Sequence, residues 1–151
     1  MNTRITPQFS LNEIKVNLRI KLAMLWASFM FLYLYVDYLH FYMPGQLDDI
    51  LKGRVFKFDI TQGFLLFALV SVSIPALMIF LSVSLPARIC RWTNITIGIV
   101  YIPYSLFNLA GEAWIHMVFG AIVELVLLCI IINYAWKWTR LETNENNITI
   151  T

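Results

Sequence analysis

Residues 113–134 read AWIHMVFGAIVELVLLCIIINY, an apolar run in which Glu124 is the single formally charged side chain. A helix needs about 20 such residues to cross a hydrocarbon layer about 30 Å thick, at 1.5 Å per residue. The run lacks the strict polar and apolar alternation of a barrel strand, and lipid offers no partner to an open strand edge. It therefore predicts a membrane-spanning α-helix.

Three more apolar runs precede this one along the chain, at residues 22–43, 63–85 and 93–109. The third is the shortest, and it contains Gly98 and Pro103. Pro44 and Pro86 follow the first two runs, where a residue that cannot donate a helical hydrogen bond ends a helix. The connection at 110–112 is so short that the last two helices must be antiparallel neighbours. The pattern predicts an all-α, four-helix transmembrane bundle that runs up, down, up and down.

The composition supports a membrane protein and excludes several other classes. Of the 151 residues, 60% are hydrophobic and 13% are charged, against about 45–50% and about 25% in soluble domains. The net charge of +2 comes without a dense basic block, so nucleic acid is not a predicted partner. Cys90 and Cys129 form no Cys-x-x-Cys motif, and we interpret both as packing residues.

The basic residues predict the topology, because cytoplasmic segments near the spans are enriched in lysine and arginine. Only three lie between the first two runs: Lys52, Arg54 and Lys57. The other eight lie before the first run, between the second and third, and after the fourth: Arg4, Lys15, Arg19, Lys21, Arg88, Arg91, Lys137 and Arg140. Both termini are therefore predicted to lie in the cytoplasm.

The segments outside the runs divide the chain into three regions. Residues 1–21 form a cytoplasmic and interfacial segment, 22–138 form the membrane domain, and the polar residues 139–151 are predicted to be a disordered tail. Ser10 and Glu13 form a capping-box pattern, which predicts an amphipathic interfacial helix over 10–21 that runs into the first span. The alternative is that these residues are the frayed end of a longer first helix.

A few ionisable side chains fall within or beside the spans, where each is costly and needs compensation. Helical rise places His40 and His116 roughly 12 Å to the outer side of the midplane, Asp37 at about 8 Å and Glu124 near the centre. Asp37 and His40 share a helix face at i, i+3 spacing, and Glu112, His116 and Glu124 follow one another at intervals of four and eight residues. The predicted outward-facing pocket, between the first and fourth spans, has this lining: Asp37, His40, Gln62, Asn108, Glu112, His116 and Glu124.

Such a pocket suits a small ligand or a cation, with Glu124 as a proton site. The structural alternatives are that His40, Glu112 and His116 are ordinary interfacial residues, and that Asp37 bonds hydroxyls on a neighbouring helix. Glu124 would then be a protonated carboxyl satisfied by one of three side chains at similar depth: Ser71, Ser73 or Tyr101. No catalytic set, cofactor motif or metal centre is predicted.

Two other functions stay open at this point. The first is a non-catalytic scaffold or accessory subunit that acts through helix contacts, with membrane lipids, a second copy or a partner membrane protein around it. The second is a lipid-active enzyme, which would need a pocket that reaches acyl-chain depth beside His116.

Several landmarks resemble a family of small bacterial membrane proteins classed only as a domain of unknown function. They lie mainly at helix ends: Met43-Pro44-Gly45, Ile60-Thr61-Gln62-Gly63-Phe64, Ile74-Pro75, Arg91-Trp92-Thr93-Asn94 and Tyr134-Ala135-Trp136-Lys137-Trp138. The resemblance covers roughly residues 15–138. It implies a multi-pass protein with four spans in a bacterial inner membrane, and it implies no activity or site residues.

Overall fold

A computed structural model describes residues 15–55, 58–109 and 114–148. Its elements, in chain order, are α1 (Leu18–His40), α2 (Gln46–Leu51), β1 (Arg54–Val55), β2 (Phe58–Asp59), α3 (Gln62–Ser84), α4 (Ala87–Phe107) and α5 (Ile115–Ile148). The two short strands pair antiparallel, Arg54 with Asp59 and Val55 with Phe58. The described chain is otherwise almost entirely helical, and this confirms the all-α prediction.

Three of these helices are long and apolar enough to cross a membrane: Leu18–His40, Gln62–Ser84 and Ile115–Trp138. They cover most of the predicted first, second and fourth runs. Most of the predicted third run lies in α4, which begins and ends earlier than the run and includes Arg88 and Arg91. Helix α4, with these two charged residues near its start, is not among the three helices that length and composition mark as able to cross a membrane.

The start of α1 differs from the prediction for residues 10–21. Residues 15–17 are not helical, and the side-chain oxygen of Asn17 accepts a hydrogen bond from the backbone N–H of Arg19 at 2.9 Å. This cap begins a new helix at Leu18, so no continuous helix runs from residue 10 into the first span. Residues 10–14 lie outside the described part of the chain.

The end of α5 also differs from the prediction, because the helix continues to Ile148 and so extends into the segment predicted to be disordered. No proline or glycine occurs between Gly120 and Ile148 to stop it. The prediction of disorder in residues 139–151 rests on their polar, asparagine-rich composition, and polar residues can extend an existing helix. Residues 149–151 are not described.

The helix directions follow from contacts near the helix ends. At the start of α1, the Arg19 guanidinium donates to the carbonyl of Val83, near the end of α3, at 3.3 Å. At the other end of α1, Val36 lies against Gly120, near the start of α5. Helix α1 is therefore antiparallel to both α3 and α5. Helix α4 packs mainly on α5, where Gly98 faces Ile132, and less extensively on α3.

Helices α1 and α4 meet across the core through their aromatic side chains. Moving along α1, Phe29 packs edge-on against Tyr101 at 6.0 Å between ring centroids, and Tyr33 stacks with Tyr104 at 6.3 Å. Residue numbers rise together along the two helices, so α1 and α4 point the same way. The buried cluster draws on all four long helices: Leu22, Trp26, Phe29, Tyr33, Met78, Cys90, Tyr101, Leu128, Ile131 and Trp138.

A tyrosine on α4 bonds a backbone carbonyl that a proline leaves free inside α3. Pro75 has no N–H, so it cannot donate to the carbonyl of Ser71 one turn earlier. The Tyr101 hydroxyl donates to that carbonyl instead. The hydrogen bond satisfies a backbone group that the apolar surroundings would otherwise leave without a partner, and it joins α3 to α4.

Candidate functional site

Three of the predicted site residues meet at one small cavity between α1, α4 and α5. Asp37 comes from α1, Asn108 from the C-cap of α4 and Glu124 from α5. Tyr33 and Ser105 join them, and four apolar side chains complete the wall: Val36, Leu109, Met117 and Ala121. The volume of about 10 Å³ is close to the minimum that holds one water molecule.

The polar lining has an inner and an outer part. Glu124 is only 2% exposed, and the fully buried Ser105 lies beside its carboxyl. The Ser105 hydroxyl makes no hydrogen bond to any other described residue. Asp37 lies at the rim with an exposed side chain, close enough to Glu124 for the two carboxyls to interact electrostatically. The cavity thus joins a buried carboxyl to an accessible one.

The Tyr33 hydroxyl lies on the α1 side of the cavity. It shares a hydrogen bond of 3.3 Å with the hydroxyl of Tyr104 on α4, and the side chain of Asn108 lies near it. All the polar groups of the lining carry oxygen, and they include no imidazole or thiol. Oxygen donors of this kind suit protons and hard cations.

The other predicted site residues lie elsewhere. A ring nitrogen of His40 (Nε2) is 3.0 Å from the Gln46 side-chain oxygen at the start of α2, and Gln62 is exposed at the start of α3. His116 is half-buried, and its ring packs against Trp114 at 6.2 Å between centroids. None of the three lines the cavity. Glu112 lies outside the described residues.

The hydroxyls that the sequence analysis considered as partners of Glu124 are engaged in other bonds. Ser71 donates to the carbonyl of Phe67 at 2.9 Å and Ser73 to that of Leu69 at 2.7 Å. Tyr101 donates to the carbonyl of Ser71. Ser105, which is not among the residues predicted from the sequence, takes the position beside Glu124. Its spacing of three residues from Asn108 puts the two on one helix face, and that pairing was the available signal.

A second buried polar cluster lies among α1, α3 and α4. The Asn94 side-chain oxygen accepts from the Trp26 indole N–H at 2.7 Å and from the Ser82 hydroxyl at 3.3 Å. The Asn94 amide donates to the carbonyl of Cys90 at 2.8 Å, and the Cys90 thiol donates to the carbonyl of Ser82. The polar groups of this cluster thus satisfy one another's hydrogen-bonding needs inside the core. We interpret this cluster as structural, in keeping with the packing role predicted for Cys90.

Within the residues described, no group of three or more histidine, cysteine, aspartate or glutamate side chains is placed to hold a metal ion. His116 is not among the residues that line this cavity, and a lipid-active enzyme stays an alternative prediction.

The comparison with protein families matches residues 9–145 to the model of a family of unknown function, DUF6326. The chain belongs to this family, in agreement with the resemblance to a domain of unknown function. No curated protein and no solved structure is detectably similar to it.

Proposed function

We propose that this member of the DUF6326 family is a four-span protein of the bacterial inner membrane that binds a single proton or small cation at Glu124. Asp37 is the outer group of the site and Glu124 the inner one. The observation that carries the proposal is the cavity, because it connects a carboxyl that is 2% exposed to one at the protein surface.

The helix directions support a fourth span. Contacts at both ends of α1 make α3 and α5 antiparallel to it, so α3 and α5 run in the same direction. If α3 and α5 both span the membrane in the same direction, the chain must cross the membrane once more between them. Helix α4 is the only long helix that the structure describes between them, and it has 21 residues, a length of about 31 Å at 1.5 Å per residue.

The positions of the basic residues support cytoplasmic termini. The Arg19 guanidinium lies over the Trp138 ring at 5.7 Å, and the Arg91 guanidinium lies over the Trp136 ring at 5.9 Å. These contacts gather the start of α1, the start of α4 and the Trp136–Trp138 region of α5 at one membrane face. Lys52 and Arg54 lie in the connection at the opposite end. The larger basic group faces the cytoplasm under the positive-inside rule.

The size and chemistry of the cavity narrow the range of ligands. A volume of about 10 Å³ accommodates a water molecule or an ion and excludes an organic molecule. A carboxyl near the centre of a spanning helix costs roughly 2.5–3.5 kcal/mol on insertion scales. Binding a proton or a cation removes most of that cost, because it neutralises the charge of Glu124.

Infrared spectroscopy of the protein in liposomes tests binding directly. We expect a carboxylic acid C=O band that titrates with pH in the wild type and is lost in Glu124→Gln. Asp37→Asn should slow proton exchange at Glu124 and leave its band in place. Asp49→Asn is the matched control, because Asp49 is an exposed carboxyl on α2 outside the cavity. A wild-type spectrum without a band that depends on Glu124, in proton or alkali-cation titrations, would refute the proposal.

A scaffold or accessory subunit is the second candidate function, and the exposed apolar face of α5 favours it. It predicts that Asp37→Asn lowers folding yield or partner recovery and changes neither the titration of Glu124 nor any ion flux. Gentle extraction from native membranes, followed by mass measurement, tests the scaffold function. A monomer without a partner contradicts the scaffold function.

A further inference from the structure

One polar side chain on the lipid-facing side of α5 has no partner within the described structure. Asn133 is exposed, and its amide makes no hydrogen bond there. It lies five residues before Trp138, or about 7.5 Å along the helix, and therefore within the hydrocarbon if Trp138 marks the interface. Exposed hydroxyls elsewhere, such as those of Ser71 and Thr93, donate to a carbonyl one turn earlier on their own helix.

Seven of the exposed residues of α5 form a regular seam, while Val118, Tyr134 and Lys137 are also exposed and lie outside its spacing. The seven recur at alternating intervals of four and three residues: Ile115, Phe119, Ile122, Val126, Cys129, Asn133 and Trp136. This is the heptad spacing of a and d positions, which brings one side of a helix against a second helix over its whole length. The packed side of α5 carries the buried residues Leu128 and Ile131 and the cavity residue Glu124, so the seam is free for a partner.

The seam contains one asparagine, at an a position. In paired helices a single asparagine at an a position specifies the register and favours two strands, because its amide bonds the same amide of the partner. A carboxamide both donates and accepts, so two copies related by a two-fold axis satisfy each other. The asymmetry of eight basic residues against three favours one orientation for every copy, and the pairing is therefore parallel.

We propose that the seam is the interface between two copies of this chain. The α5 helices pair in parallel about an axis along the membrane normal, with the Asn133 amides hydrogen-bonded across it and the two Cys129 side chains facing each other. An apolar partner would leave the amide unsatisfied in lipid, which is costly. The interface lies on the opposite side of α5 from Glu124. The dimer proposal can therefore be right or wrong independently of the proton or cation site.

Oxidative cross-linking in native membranes tests this pairing with the cysteines already present. We expect a reducible dimer of the wild type and of Cys90→Ser, because Cys90 is 0% exposed, and no dimer of Cys129→Ser. Asn133→Leu should weaken dimerisation by about three- to thirty-fold, the range of a hydrogen bond between membrane helices. Thr96→Val is its matched control, since it removes an exposed polar group from α4.

A second pair of variants tests the same interface if Asn133→Leu inserts into the membrane in low yield. Val126→Trp places a bulky ring on the seam and should abolish the cross-link, whereas Val70→Trp on α3 should retain it. The two valines are equally exposed, at 52% and 53%. Absence of the wild-type dimer, a cross-link to a protein of different mass, or equal dimer yields from the two tryptophan variants would each overturn the proposal.

Discussion

Replacing Gly120 with alanine should destabilise the protein through a collision between α5 and α1. A Cβ atom at this position would overlap a methyl group of Val36, at a separation that real Cβ contacts essentially never show. Valine in a helix has one strongly preferred side-chain rotamer, so Val36 cannot turn away without strain. The two helices must therefore move apart, and Val36 and Ala121, the neighbour of Gly120, both line the cavity.

The expected size of the loss follows from two opposing effects. Overpacking a close contact costs about 1–3 kcal/mol, and the stiffness of Val36 argues for the upper end. Alanine is better than glycine inside a helix by about 1 kcal/mol. The net loss in the free energy of unfolding is therefore about 2 kcal/mol, or about thirty-fold in the unfolding equilibrium constant.

Two other glycines provide a graded comparison. At Gly98 the added Cβ would lie 2.9 Å from Cγ1 of Ile132. The alanine gain offsets part of that collision, and we expect a loss of about 0–1 kcal/mol. At Gly63 the nearest atom is 3.9 Å away, so Gly63→Ala should be neutral or slightly stabilising.

The measurement is equilibrium unfolding in mixed micelles, followed by tryptophan fluorescence because Trp26 is fully buried. We expect stability to fall in the order Gly63→Ala, Gly98→Ala, Gly120→Ala. Combining Gly120→Ala with Val36→Ala should recover most of the loss, because it removes the colliding methyls. Wild-type stability of Gly120→Ala, or a double variant less stable than the single one, would refute the reasoning.

Three further substitutions test hydrogen bonds that hold the helices. Asn94→Leu should lower the free energy of unfolding by about 2–4 kcal/mol, because it leaves the buried Trp26 N–H and a serine hydroxyl without their acceptor; chemical unfolding checks this, and a loss below 1 kcal/mol would contradict it. Tyr101→Phe should lower the free energy of unfolding by about 1–3 kcal/mol in the wild type. The loss should be smaller in a Pro75→Ala background, where the N–H of residue 75 can bond the Ser71 carbonyl that Tyr101 no longer reaches. Equal losses in both backgrounds would contradict this role of the Tyr101 hydroxyl. Asn17→Ala should lower the free energy of unfolding by about 1 kcal/mol, because it removes the N-cap of α1. Amide hydrogen exchange should become faster in the first turn of α1, and unchanged exchange there would contradict the role of Asn17 as a cap.

Sequence reasoning could predict some residues of the candidate site, but it could not predict which of them share one cavity. Three of the residues predicted to share a pocket, Asp37, Asn108 and Glu124, line the same cavity. The argument from helical depth included His40 and His116, which instead contact neighbours close in sequence, at Gln46 and Trp114. Depth along a helix is set by residue number, whereas the direction in which a side chain points depends on which face of the helix is packed.

The sequence by itself determined the all-helical class and the apolar segments, because both depend on runs of residue type and on punctuation by Pro44 and Pro86. Only the tertiary structure decided which helices touch. Gly120 admits Val36 at the α1–α5 contact, and Tyr101 reaches the carbonyl that Pro75 leaves free. Apolar segments in lipid have no strong preference for one neighbour over another. The close fit of small side chains and the need to satisfy each polar group select the arrangement.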